Sequence, residues 1–248
     1  LVAYAVDGAK GAVVEVNSET DFVARNETFQ KMVADIAQVA IGTDGSVEAV
    51  KAADYPGAGK SVEDHVTEMV GQIGENMTVR RAAAIEVAEG AVVPYVHTQI
   101  VDGAGKIVVL VGLKSSGKTE ALEAIGKQIA MHVAAARPLA LTVADLDPAV
   151  VQREKDVLSE QARASGKPEN IIEKMVEGRM QKFYEESVLL EQVFVIDGET
   201  RIKDVVANAK AEAGAEVTLE GFVRMELGEG VEKKEEDFAA EVAALNKG

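Results

Sequence analysis

The 248-residue sequence contains no cysteine, which excludes a disulfide, a thiolate-held metal and a cysteine nucleophile. Histidine is almost as scarce: His65, His97 and His132 lie far apart, and no histidine-based metal motif is visible. No apolar run approaches the ~20 residues that a membrane-spanning helix needs, and no signal-peptide pattern is present. Basic residues are the minority, 26 Lys and Arg against 42 Asp and Glu, for a formal charge of −16. A protein whose main work is gripping nucleic acid needs a basic face for the phosphates, so that class is disfavoured. These absences leave a soluble protein of a reducing compartment, with enough chain for one large core or two modest ones. The opening "LVAYAVDGAKG" reads as a strand entered midway, so a further N-terminal segment is expected in the natural protein.

What is present is an internal repeat. "AVDGAKGAVVEV" (5–16) matches "IVDGAGKIVVLV" (100–111), with Asp7-Gly8-Ala9 and Asp102-Gly103-Ala104 offset by 95. Each copy is an apolar stretch, an Asp-Gly turn and a Val-rich stretch, the pattern of a β-hairpin. "DIAQVA" (35–40) then matches "QIAMHVA" (128–134) at an offset of 93, both with helical spacing, and "AIEVAEG" (84–90) matches "RMELGEG" (224–230) at 140. Each unit is therefore a hairpin, helices and a closing strand. The offset grows from 93 to 140, so the second copy carries 47 extra residues.

Residues 148–186 have the character of that insertion. Pro148 can open a helix, with Val150, Val157 and Leu158 on one face. Gly166 and Pro168 in "SGKP" end one helix and start another. Ile171/Ile172, Met175/Val176, Met180 and Phe183/Tyr184 then recur roughly every four residues, which predicts an antiparallel helical hairpin. The expected fold is α+β: two repeated units of antiparallel β-sheet packed with helices, an inserted helical coiled hairpin and a C-terminal helix. The expected division is 1–90 for the first unit, 91–144 with 187–230 for the second, 145–186 for the hairpin and 231–248 for the C-terminal module.

"VVLVGLKSSGKTEALEAIGKQIA" (108–130) contains Gly112 and Gly117-Lys118-Thr119 at the spacing of a phosphate-binding loop. Such a loop joins strand to helix in a parallel crossover. Here Ile107–Val111 is the second arm of a hairpin, and the matching slot of the first unit carries no such motif. The reading taken is a polar strand-to-helix loop with Ser115 or Ser116 near the helix start. The alternative is a nucleotide-binding protein using Gly112–Thr119, with Asp197 closing an apolar strand "VFVID" that would hold magnesium.

"VNSETDFVARNETF" (16–29) occupies that slot in the first unit. Thr20 or Asp21 can cap a short helix with Phe22 in its first turn. Phe22 then reads either as a core residue or hydrophobic staple, or as an exposed anchor beside an acidic residue.

The stretch, with "IGENMTVRRAAAIE" (73–86), "QIAMHVAAARP" (128–138), "SGKPENIIEKMVEGRMQKFYEE" (165–186), "VLLEQVFV" (188–195) and "GFVRMELGEGVEKKEEDFAAEVAAL" (221–245), resembles bacterial elongation factor Ts in the family's own order. The resemblance covers nearly the whole chain, but not the small N-terminal helical module with which the family begins. It implies a non-enzymatic guanine-nucleotide exchange factor for the GTPase elongation factor Tu, cytoplasmic, acting in translation elongation without cofactor, metal, membrane or direct nucleic-acid contact. It implies that Asp21 and Phe22, flanked by Thr20 and Val23, meet Tu, with Phe22 wedging into an apolar pocket near the magnesium side of the nucleotide. Ile73, Gly74 and His97 match further contacts, Val195 and Ile196 match a segment facing another domain of Tu, and Phe238 lies on the C-terminal amphipathic helix that reaches back to it. From the residues alone, Ile73 also reads as a helix-end core residue, His97 as a structural or exposed strand histidine, and Val195 with Ile196 as edge-strand core. His132 reads as a core histidine. The helical hairpin is a candidate for self-association, or for the docking arm of a generic adaptor.

Overall fold

The computed structural model describes residues 1–231; the expected C-terminal helix and Phe238 lie outside the described residues. β1 (Val2–Asp7) and β2 (Lys10–Ser18) form the first hairpin, followed by α1 (Glu27–Ile41), α2 (Val47–Ala52), α3 (Val62–Ile73) and β3 (Met77–Glu86). β4 (Gly90–Val101) and β5 (Ala104–Lys114) form the second hairpin, followed by α4 (Thr119–Ala136). After α5 (Pro148–Arg163) and α6 (Glu169–Ser187) come α7 (Ile202–Asn208), α8 (Lys210–Ala213) and β6 (Thr218–Glu226). β2 lies antiparallel between β1 and β3, and β5 antiparallel between β4 and β6.

The repeat extends to the irregularities. Arg80 is an extra residue in β3 opposite the Glu15/Val16 step, and Glu220 is an extra residue in β6 opposite Gly112/Leu113. The two bulges stand at the same 140-residue offset as the sequence match. Each adds local twist to its closing strand.

The two three-stranded sheets join through the Val2–Gly105 and Ala3–Ala104 pairs of β1 and β5. They also meet face to face, where Val2 and Val13 pack with Val92, Val108, Leu110 and Met225. The opposite faces carry the helices: Val14 and Val16 pack with Phe29, Val33 and Ile36, while Val109, Val111 and Leu113 pack with Leu122, Ile129 and Val133. Four layers result. Covering both faces explains why β2 and β5 read as near-continuous apolar runs rather than as alternating strands.

One charged residue sits inside this architecture. Glu15, on β2, is fully buried and receives Arg80 Nη1 at 2.9 Å, Arg81 Nε at 2.5 Å and the Gly228 N–H at 2.9 Å. Arg81 also donates to the Glu226 carbonyl at 2.7 Å, so the first unit grips the end of β6. Burial pushes the Glu15 carboxyl up, but the Gly228 N–H and the two guanidinium groups outweigh it and hold the group below its usual range.

α5 and α6 form the expected antiparallel hairpin. Asp147 caps α5 by accepting from the Ala149 N–H at 2.8 Å, with Pro148 in the first turn. The seam is Ala162, Ile172, Val176 and Met180, joined on α5 by Val151 and Leu158. Leu158 lies on the seam as expected, but Val157 is exposed, because the face is set by the Val151–Leu158–Ala162 spacing, turned about 80° from the one anticipated. Two further expectations change. The helix near 200–212 is broken at Ala209 into α7 and α8. "VFVID" is not a strand: Val193 makes one bridge to Arg201, and the chain then turns, with the Asp197 carboxylate accepting from the Glu199 and Thr200 N–H groups. The side chain supplies the turn with a local partner that a ladder would otherwise provide.

Candidate protein-docking surface

β2 ends at Ser18 and α1 begins at Glu27, and the chain between them is pinned at both ends. On the upstream side the Thr20 N–H and hydroxyl donate to the Glu75 carboxylate at 2.9 and 2.7 Å, and Asn76 donates to Glu19 at 2.5 Å. Downstream, Val23 is 6% exposed and packs in the core, while Asn26 caps α1 by accepting from the Phe29 N–H at 3.1 Å. Gln30 ties back to the Ala24 carbonyl at 2.7 Å. Between these anchors stands Phe22, 76% exposed, the most exposed large apolar side chain among the described residues.

The core and staple readings of Phe22 are therefore overturned: the side chain stands in water. Its neighbour Val23 takes the buried place instead, so Val23, grouped with the contact residues on the sequence, is turned inward. Nor do Thr20 or Asp21 cap the short 3-10 turn Val23–Arg25, which has no side-chain cap: the Thr20 hydroxyl is engaged by Glu75. Asp21 is exposed beside Phe22.

The same two hydrogen bonds bring the end of α3 to this corner. Ile73 closes α3 half-buried against the first unit's core, and Gly74 ends the helix at φ 84°, a left-handed conformation that glycine adopts without strain. Thr20, Asp21, Phe22, Ile73 and Gly74 thus share one corner of the first unit. Sequence reasoning missed Glu75, which holds the corner together, although it lies inside the quoted "IGEN". It also missed the Asn26 cap, for which Asn before an apolar helical pattern was a readable signal.

The remaining candidates belong to the second unit. His97 is exposed on β4, with the Tyr95 hydroxyl 3.1 Å from its Nδ1. Val195 and Ile196, expected as edge-strand core if structural, lie on the turn after Phe194 and are 51% and 52% exposed. His132, buried on α4, accepts the Val195 N–H at Nδ1 (3.2 Å) and faces Gln192 Oε1 from Nε2 (2.9 Å). Burial lowers the imidazole pKa below its ordinary value, against the opposing effect of the Gln192 bond.

The phosphate-loop match is geometrically closed. Gly112 lies within β5, paired antiparallel on both sides. In the following loop the Gly117 N–H is taken by Ser115 Oγ at 3.0 Å and the Lys118 N–H by the Ala213 carbonyl at 2.9 Å. A Cβ on Gly117 would stand 2.6 Å from that carbonyl, so the glycine serves close packing against α8. A phosphate cradle needs such amides free. Ser115 and Ser116 do not cap α4; Lys118 is its N-cap, without a side-chain bond.

The profile described as "Elongation factor TS" matches residues 19–229, which include Thr20, Phe22, Ile73 and Gly74. The chain belongs to the elongation factor Ts family. It is 59% identical to elongation factor Ts of Parvibaculum lavamentivorans over 249 residues, covering 100% of this chain and 80% of that protein. Elongation factor Ts of Sinorhizobium medicae is 57% identical over 248 residues (100% and 81%), and that of Rhodospirillum centenum 57% over 245 (99% and 80%). Membership in the elongation factor Ts family makes this a translation elongation factor. Among the described residues no helix is long and apolar enough to cross a membrane.

Proposed function

We propose that the chain is a guanine-nucleotide exchange factor that binds elongation factor Tu carrying GDP, promotes GDP release by disturbing the magnesium and phosphate site, and stabilises the nucleotide-free state. The observation that carries this reading is Phe22: a large apolar side chain held in water on a loop fixed at both ends. A monomer gains nothing from exposing it, whereas burial in a partner's pocket contributes about 1.5–3 kcal/mol. Because the loop is already ordered, little of that is lost to fixing the backbone on binding.

Exchange in this scheme needs no covalent chemistry. A factor that lowers GDP affinity for Tu has its own affinity lowered by GDP by the same factor, so its contacts must favour the opened nucleotide site. Phe22 acts as the wedge, Asp21 supplies polar contacts that orient it, and Ile73 with Gly74 extends the same surface. Val195 and Ile196 offer a second apolar contact from the other unit.

The test is release of fluorescent GDP from purified elongation factor Tu, with the parent chain and with Phe22→Ala. Strong acceleration by the parent that is largely lost in the variant supports exchange and wedge together. Equal acceleration by both moves the mechanism away from Phe22, and no acceleration by either overturns the exchange reading for this chain.

A further inference from the structure

The turn Phe194–Thr200 closes on itself: the Phe194 N–H donates to the Thr200 carbonyl at 2.8 Å, the Gly198 N–H to the Phe194 carbonyl at 2.8 Å, and Asp197 takes two further N–H groups. Phe194 is buried, while Val195 and Ile196 project to solvent. One backbone donor of the turn, the Val195 N–H, points inward and ends on His132 Nδ1.

That bond determines the proton positions of a whole chain of groups. A backbone N–H can only donate, so Nδ1 accepts and Nε2 carries the ring proton. Nε2–H then donates to Gln192 Oε1 at 2.9 Å. This fixes the Gln192 amide, whose nitrogen donates to the Glu186 carbonyl at 2.7 Å and the Ala136 carbonyl at 3.4 Å. Both ends of the chain are main-chain groups, so no other tautomer or amide orientation satisfies it. Glu186 lies in the last turn of α6, and the Phe194 ring stands tilted 6.0 Å from the imidazole.

We propose that His132 and Gln192 are positioning residues that seat the Val195–Ile196 tip on the root of the helical hairpin, holding these two apolar side chains ready for a protein partner. Neither residue touches the partner; each acts through the turn. The partner role of the tip rests on the reading that it meets elongation factor Tu.

Two substitutions separate positioning from packing. His132→Asn places an amide oxygen near Nδ1 and keeps the acceptor for the Val195 N–H. His132→Gln reaches Nε2 and keeps the Gln192 link but loses that acceptor. In the full chain, nitrogen NMR of the parent should show the His132 proton on Nε2 alone. Amide hydrogen exchange should show Val195 protected in the parent and His132→Asn but not in His132→Gln. Association with nucleotide-free elongation factor Tu should weaken about tenfold in His132→Gln and in Val195→Ala/Ile196→Ala, and by an intermediate amount in His132→Asn, which keeps the Val195 acceptor but loses the Gln192 link, as expected when a preorganised contact is lost in part. A proton on Nδ1, or equal effects of the two His132 variants on Val195 protection, overturns the positioning role. If protection follows the expected pattern but Val195→Ala/Ile196→Ala associates normally, the tip is positioned but is not the contact, and the docking half fails alone.

Discussion

Thr20 is bound twice to Glu75, through its N–H and through its hydroxyl, across 55 residues of sequence. The pair fastens the end of β2 to the turn after α3, and Phe22 stands two residues beyond it.

Glu75→Ala should therefore loosen the Phe22 loop without unfolding the chain. The two bonds are exposed and worth roughly 1 kcal/mol in total, so exchange on elongation factor Tu should fall about fivefold. The melting temperature should change by less than about 3 °C. A Glu75→Ala variant exchanging at the parent rate would show that the loop keeps its shape without this tie.

Phe22 and Val23 are sequence neighbours with opposite fates. Phe22→Ala should leave stability within about 0.5 kcal/mol, as for other exposed positions, while exchange drops about ten- to a hundredfold. Val23→Ala should do the reverse first, costing about 2 kcal/mol of stability through the cavity it leaves. Paired urea denaturation and GDP-release measurements separate the two. A marked stability loss in Phe22→Ala would contradict its exposed position.

The Glu15 cluster should be visible in acid. Its folded-state pKa lies below the ordinary 4.5, so the proton binds more tightly to the unfolded chain. The resulting stabilisation is fully present above pH 4.5 and is lost as pH falls through the folded-state value. Glu15→Gln should cost about 3 kcal/mol at neutral pH, the low end for a broken buried pair, because Arg80 and Arg81 are part-exposed and find water. Its stability should also fall less steeply than the parent's below pH 4.5. Parallel stability–pH curves would refute this account.

The loop at Gly117 gives a negative control with content. Lys118→Ala and Thr119→Ala should leave GDP release unchanged, and the parent chain should bind neither labelled GTP nor ATP, since the Gly117 and Lys118 amides are engaged within the protein. Saturable nucleotide binding that is lost in Lys118→Ala would reopen the phosphate-loop reading.

Much of the architecture was legible from the chain, because repetition and periodicity are local signals. The two Asp-Gly hairpins, the helical hairpin between Pro148 and Ser187 and the 47-residue insertion all follow from spacing and turn chemistry, and the family resemblance follows from ordered motifs. Which residue of an adjacent apolar pair faces water did not. Phe22 and Val23 are both acceptable inward residues by composition, and only the anchors at Glu75 and Asn26, one of them far away in sequence, rotate Phe22 out. Likewise, Val195 and Ile196 read as strand until Asp197 closes a turn and His132, 63 residues earlier, takes the Val195 N–H. Local sequence determined which elements form; long-range hydrogen bonds decided which apolar side chains remain in water, because exposure depends on what packs behind a residue and not on the residue itself.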